Sequence, residues 1–197
     1  MISAAERDEI TALIDFWFGP PQSSERFKSR AAWFKVDPEF DEALRQRFLA
    51  LQQRAAAGGC NEWAGEAEPC LALILLLDQL PRNLYRGTAQ AFATDPMARA
   101  AARGALSRGF DRSLPAAWRP FIYLPFEHSE NLGDQEQSLA LFASLARDPD
   151  FASSEDYAKR HHAIIARFGR FPHRNRALGR ASSAEEEAFL KEPNSSF

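Results

Sequence analysis

At 197 residues and 22.1 kDa the chain has the length of one globular domain, long enough to bury roughly 70% of the surface its unfolded form exposes. It has 34 Ala and 20 Leu against one Val, seven Ile and three Thr, which excludes a large sheet. Strands favour β-branched side chains, whereas Ala and Leu lose little freedom in a helix. The formal charge of -3 argues against bulk binding to nucleic acid or to an anionic membrane.

Met1 to Ile10 carries four charged residues where a signal peptide needs an apolar stretch, so a cytoplasmic protein is expected. Ser3-x-x-Glu6 is a capping box that opens the first helix. Ile10, Leu13, Ile14, Trp17 and Phe18 follow at helical spacing, and Gly19-Pro20-Pro21 ends it. A short second helix is expected over Ser24 to Phe34. Asp37-Pro38 caps a third, with Phe40, Leu44, Phe48 and Leu51 on one face and Gly58-Gly59 as its stop. Cys60 and Cys70 lack the C-x-x-C spacing of a metal or redox site and read as reduced structural thiols. Pro69 to Leu80 is apolar around most of its circumference; its Leu and Ala content makes it a helix, and its run from Cys70 to Leu77 is too short to span a bilayer.

Asp95-Pro96 caps a fifth helix running to Gly109, and Leu114 to Glu130 reads as a helix kinked near Pro125, opening the backbone just before Glu127, His128 and Glu130. Asp134 to Ala146 forms a seventh helix, Ser154 to Phe168 an eighth, and Ser183-x-x-Glu186 caps a short ninth. About nine short helices with brief turns imply an all-α array of antiparallel pairs, a single domain over residues 1–192 with a loose tail over 193–197.

Asp78 is the most informative carboxylate, because it continues the Leu71, Ile74, Leu75 face in the last turn of an apolar helix. Buried there it requires a cation, with Arg82 and Arg86 the local candidates, and a purely structural bridge satisfies the same requirement. In the eighth helix Tyr157, His161, Ile164, Ile165 and Phe168 share a face, which points His161 inward and leaves His162 more exposed. Leu80-Pro81-Arg82-Asn83 and Phe171-Pro172-His173-Arg174-Asn175 echo one another after helix ends, either as plain stop signals or as two arginine corners facing one cavity. Lys159 to Arg180 holds seven Lys or Arg and no acid, leaving -10 for the remainder, and arginine grips carboxylate or phosphate in two parallel bonds. That segment either answers internal acids such as Asp78, Glu127 and Glu130 or closes an anion site. His128-x-Glu130 with His161 or His173 lacks a zinc spacing, so no metal and no cofactor are expected.

The stretches Leu77 to Gly87, Tyr123 to Glu130 and Arg167 to Asn175 with Leu178-Gly179-Arg180, together with Phe16-Trp17-Phe18-Gly19 and Trp33-Phe34, resemble the bacterial family known as domain of unknown function 924. The resemblance implies an all-helical fold of the tetratricopeptide-like class and no established reaction. Its motif positions fall here on Asp78, Arg82, Asn83, Arg86, His128, Glu130, His161, Arg170, His173, Arg174 and Asn175. The leading expectation is a binding protein whose concavity, lined by Arg82, Arg86, Arg170 and Arg174, takes a small anion or acidic peptide. No nucleic-acid or membrane partner is expected. In the alternative, His128 or His161 acts as general base of a metal-independent hydrolase or transferase, with Glu130 fixing its tautomer. In a third reading the polar cluster only satisfies buried groups.

Overall fold

The computed structural model describes residues 1–28, 30, 33, 35–145, 151, 154–193, 195 and 196. Helix α1 (Ala4–Phe18) starts where Ser3 Oγ accepts from the Glu6 amide and Glu6 answers the Ser3 amide, and it buries the Ile10, Leu13, Ile14, Trp17, Phe18 face. It ends at Gly19, whose φ of 98° is left-handed backbone that suits glycine. The expected second helix is a 3-10 turn over Ser24–Phe27; Ser29, Ala31, Ala32 and Phe34 lie outside the described residues. Helix α2 (Pro38–Ala56) has Asp37 as its cap, accepting from the Glu39 and Phe40 amides.

Helix α3 (Ala67–Ile74) is the centre of the core. From Pro69 to Ile74 every side chain is buried, which is why its sequence has no polar face, and α1, α5 (Asp95–Ser107) and α7 (Pro120–Glu127) pack around it. The chain does not stop at Leu80 as expected but continues through a π turn (Leu75–Gln79) into α4 (Leu80–Leu84). A short α6 (Phe110–Ser113) and a 3-10 turn (Ala116–Trp118) lead to α7, so the stretch expected as one kinked helix is two elements. Trp17, Phe18, Trp33, Trp118 and Phe121 form an aromatic cluster, with Phe18 stacked on Trp118 at 4.6 Å and Trp33 edge-on to Phe121 at 4.8 Å.

Helices α8 (Leu132–Leu145) and α9 (Ser154–Phe168) pack on one another, and α8 packs on α7. Ala146 lies outside the described residues. A 3-10 turn (Pro172–Arg174) and the capped α10 (Ala184–Phe189) complete the order. No strand occurs among the described residues; the fold is all-α. Ile164, Ile165 and Phe171, with Phe168 and Phe189 against them, make a small apolar cluster apart from the main core. Tyr157, expected on the inward face, is exposed, while His161 is buried. Ser195, in the tail expected to be loose, is buried and its hydroxyl donates to the Leu190 carbonyl at 3.1 Å. Cys60 and Cys70 are free and buried, and among the described residues no helix is long and apolar enough to cross a membrane.

Candidate functional site

The π turn has a local cause. Pro81 lacks the N–H that an α-helix would send to the Leu77 carbonyl, and its ring crowds that carbonyl, so the turn widens and Leu80 N–H reaches back to Leu75 instead. The freed carbonyls are taken from outside: Thr94 Oγ1 donates to Leu77 O and Arg82 Nη1 to Asp78 O, both at 2.6 Å. Asp78 is thereby fixed on the widened turn with its side chain fully buried. Gln79 Nε2 donates to Oδ2 at 2.6 Å, Arg82 Nη1 lies 3.4 Å from Oδ1, and His128 Nδ1 sits 2.9 and 3.0 Å from the two oxygens.

His128 follows the last residue of α7, where carbonyls lose their helical donors. Gln135 supplies them, its Nε2 donating to Glu127 O at 2.6 Å and Ser129 O at 2.7 Å. Asn131 caps α8, its side chain accepting from the Asp134 amide. This bracing points His128 at Asp78. Burial opposes ionisation of Asp78, but Arg82 and His128 beside it hold its carboxyl below the usual carboxylate range. For His128, burial and the Arg82 charge outweigh the attraction of Asp78 and lower its pKa. A neutral imidazole therefore donates Nδ1–H to an aspartate, leaving Nε2 as the lone-pair nitrogen. Its side chain is 13% exposed, and no described residue hydrogen-bonds Nε2.

Arg174 joins this group from the segment that follows α9. Its guanidinium lies over Phe171 at 4.3 Å and Phe92 at 4.7 Å, Nη1 donates to His128 O at 2.9 Å, and Asp95 Oδ2 is 3.5 Å away. Its side chain is only 6% exposed, and its Nε has no hydrogen-bond partner among the described residues. Burial and the neighbouring Arg82 lower its pKa to about 10, so it remains charged at neutral pH. Asp95 also takes both arms of Arg82, at 2.9 and 3.1 Å. Arg82 and Arg174, the arginines of the two echoing corners, thus meet at one carboxylate and one phenylalanine ring.

Glu127 is buried beside them. Its Oε1 lies 3.4 Å from His161 Nδ1, which donates to Tyr157 O at 2.9 Å, and its Oε2 has no hydrogen-bond partner among the described residues. Burial and the Asp78 charge push its pKa up to about 8. The His161 ring is 6.3 Å from His128 and edge-on to Phe171 at 5.5 Å. Burial holds His161 well below its ordinary value and lowers His173, which lies 5.5 Å from the Phe171 ring, to about 4.

The other expected residues fall elsewhere. Glu130 does not reach His128; it accepts from Phe171 N at 2.8 Å and from both arms of Arg180 at 2.7 and 2.9 Å. Asn175 links Arg180 to Ser182. Arg170 grips Glu186 at 2.6 and 2.7 Å, outside the cluster. Arg86 and Asn83 both turn to Asp41 of α2 and line an open groove of about 760 Å³ with Arg45 and Tyr85, so the four arginines expected around one concavity divide among three carboxylate settings. Arg82 and Arg174 lie in the cluster, and Arg86 and Arg170 do not.

Asp95 escaped sequence reasoning because Asp95-Pro96 looked like a cap. Thr94 holds that position with no side-chain cap bond, and the carboxylate is free to bind Arg82. Phe92 carried no chemical signal at all. Among the described residues no group of three or more His, Cys, Asp or Glu side chains is placed to hold a metal ion.

Residues 13–194 match the family described as bacterial protein of unknown function (DUF924). A solved structure of a protein of unknown function from Agrobacterium tumefaciens is 37% identical, with a TM-score of 0.82 over 94% of this chain and 98% of that one. No curated protein matches. With the match extending over nearly its whole length, the chain belongs to the bacterial DUF924 family.

Proposed function

We propose that the protein binds a small anionic molecule, or the acidic end of a peptide, at the polar cluster around His128 and Arg174. The carrying observation is the buried Arg174 guanidinium, packed against two aromatic rings with one donor unpartnered among the described residues. A cation taken out of water is costly unless every donor finds an acceptor. An oxyanion supplies the missing acceptor, and the bond from Arg174 to the His128 carbonyl holds the guanidinium beside that residue. Arg82 takes no direct part in this reading: its arms are engaged by Asp78 and Asp95, and it sets the charge of the wall behind.

The test is a thermal-shift series with inorganic phosphate, phosphomonoesters and di- and tricarboxylates. A ligand at a hundredfold excess over its Kd stabilises the fold by about 2.7 kcal/mol, a shift of several degrees that is expected in wild type and lost in Arg174→Gln. A full response retained in Arg174→Gln would sink the site.

The Asp78–His128 pair supports a second reading, catalysis by a metal-independent hydrolase or transferase. Asp78, rather than Glu130, fixes the tautomer, His128 Nε2 accepts a proton, and Glu127, protonated at neutral pH, faces the same cluster as a donor. Screening phosphoester, ester and amide substrates tests it. Turnover that survives His128→Asn undiminished would reject this role.

A further inference from the structure

The cluster is assembled from two parts of the chain: Asp78, Arg82, Asp95, Glu127 and His128 belong to the helical body, while Phe171, His173 and Arg174 lie on the segment between α9 and α10. With Asp78, Glu127, His161 and Arg174 all buried, a ligand reaches them only if one part moves. The segment is well braced within itself. Arg180 Nε donates to Asn175 Oδ1 at 3.0 Å and its Nη2 to Phe171 O at 3.2 Å, Asn175 bonds Ser182, and the amides of Arg174, Asn175, Leu178 and Arg180 find carbonyls inside the segment. Its polar ties to the rest of the molecule are few among the described residues. Glu130 receives Phe171 N and the two arms of Arg180, Arg174 reaches His128 O and Asp95, and on the other side Arg170 ties the segment to Glu186 of α10, which adjoins it in the chain. The apolar cluster that the segment joins through Phe171 is separate from the main core. Gly169 with φ of 68° begins it, on the left-handed backbone that absorbs a change of direction most cheaply.

We infer that residues 170–182 are a preassembled lid over the Asp78–His128 pair, latched by the Glu130–Arg180 bridge and opening as a unit about Gly169. The inference rests on reading the cluster as a ligand site, but it is tested without any ligand. The latch pair is about a quarter exposed on each side, so it is strong enough to hold the lid and accessible enough to release it. When it opens, the internal braces travel with the segment, and Arg174 leaves Asp95 and His128 together.

Hydrogen exchange measured by mass spectrometry on the full chain is the experiment. In wild type, peptides covering 170–182 should exchange at least tenfold faster than those covering α3, because a sub-global opening precedes unfolding. In Glu130→Gln the same peptides should speed up by about ten- to a hundredfold, the loss expected for charge-assisted bonds, while α3 and α7 hardly change. Acylation of His128 by diethyl pyrocarbonate should rise in parallel. Equal protection of 170–182 and α3 in wild type, or acceleration spread evenly over the chain in the variant, would overturn the lid. So would His128 acylation that ignores the latch. If Glu130→Gln fails to fold, the wild-type comparison decides alone. A failed ligand screen with a confirmed lid would count against the bound anion, not against the opening.

Discussion

The two ends of α7 are both buried and held in different ways. Phe121, near its start, sits among Trp17, Phe18 and Trp33, where stabilisation comes from apolar area and ring packing that many residue combinations could satisfy. Glu127, at its end, sits beside Asp78, His128 and His161, where each group depends on the protonation and direction of its neighbour. One helix of eight residues thus joins a region that holds the fold to a region that burdens it. A fold gains little from a buried carboxyl oxygen with no hydrogen-bond partner among the described residues, and that cost is why the proposed site is placed at the polar end.

Substitutions should separate the two ends. Phe121→Ala removes a fully buried ring and should cost about 4 kcal/mol in urea unfolding, with no dependence on pH between 5 and 8. Asp78→Asn leaves Arg82 and His128 without their shared anion and should cost about 3 kcal/mol, the penalty for breaking a buried pair. A loss under 1 kcal/mol at Asp78 would mean that the cluster is wetter and looser than its burial implies.

The pH profile sharpens the contrast further. Glu127 titrates near 8 when folded and near its ordinary 4.5 when unfolded, so between these values the folded state holds the extra proton. Stability from this group therefore falls as pH rises from about 4.5 to about 8 and levels off above it. One pKa unit corresponds to about 1.4 kcal/mol, so Glu127→Gln should gain on wild type by at least about 2 kcal/mol between pH 5 and pH 8. The buried histidines act in the opposite sense: with folded pKa values below the ordinary 6.5, they remove stability as pH falls below it. Comparing the variant with wild type at each pH subtracts the part of their contribution that does not depend on Glu127. A difference that does not grow with pH would show that Glu127 is ionised in the folded protein.

The apolar end of this comparison was legible in the sequence, and the polar end only in part. Helical spacing locates the buried faces of α1 and α2, and the two capping boxes mark the starts of α1 and α10, because these signals are local. Asp78 stood out as an acid in an apolar helix, and Arg82 as its cation lay one turn away. The partners that define the cluster are not local: His128 is 50 residues from Asp78, and Arg174 reaches Asp95 across 79. Arg86 shows the limit most clearly. Its spacing from Asp78 suited a bridge, but Asp41 of α2 packs closer and takes it. Pro81 suits either a plain stop or an arginine corner in the sequence, because proline breaks the α pattern, and the widened turn that accommodates it is braced by Thr94, thirteen residues later.

The smallest expected effect lies inside the basic run that looked uniform as sequence. Arg167 and Arg174 are seven residues apart with the same charge, yet Arg167 pairs with Glu185 at 2.9 Å where the two side chains are 47% and 63% exposed. Water screens that bridge, and exposed pairs contribute under about 1 kcal/mol. Arg167 also lies over Phe168 at 4.6 Å and Phe189 at 5.7 Å, so its aliphatic stem and charge cover the small apolar cluster. Arg167→Ala should then shift unfolding by about 0.5 kcal/mol, and 0.5 M salt should reproduce most of that loss in wild type. A larger, salt-independent loss would assign the stabilisation to ring coverage instead. In that case Arg167 would belong with Phe171 and Phe189 to the support of the lid, and the line between the structural and functional halves of the molecule would have to be drawn on the near side of α9.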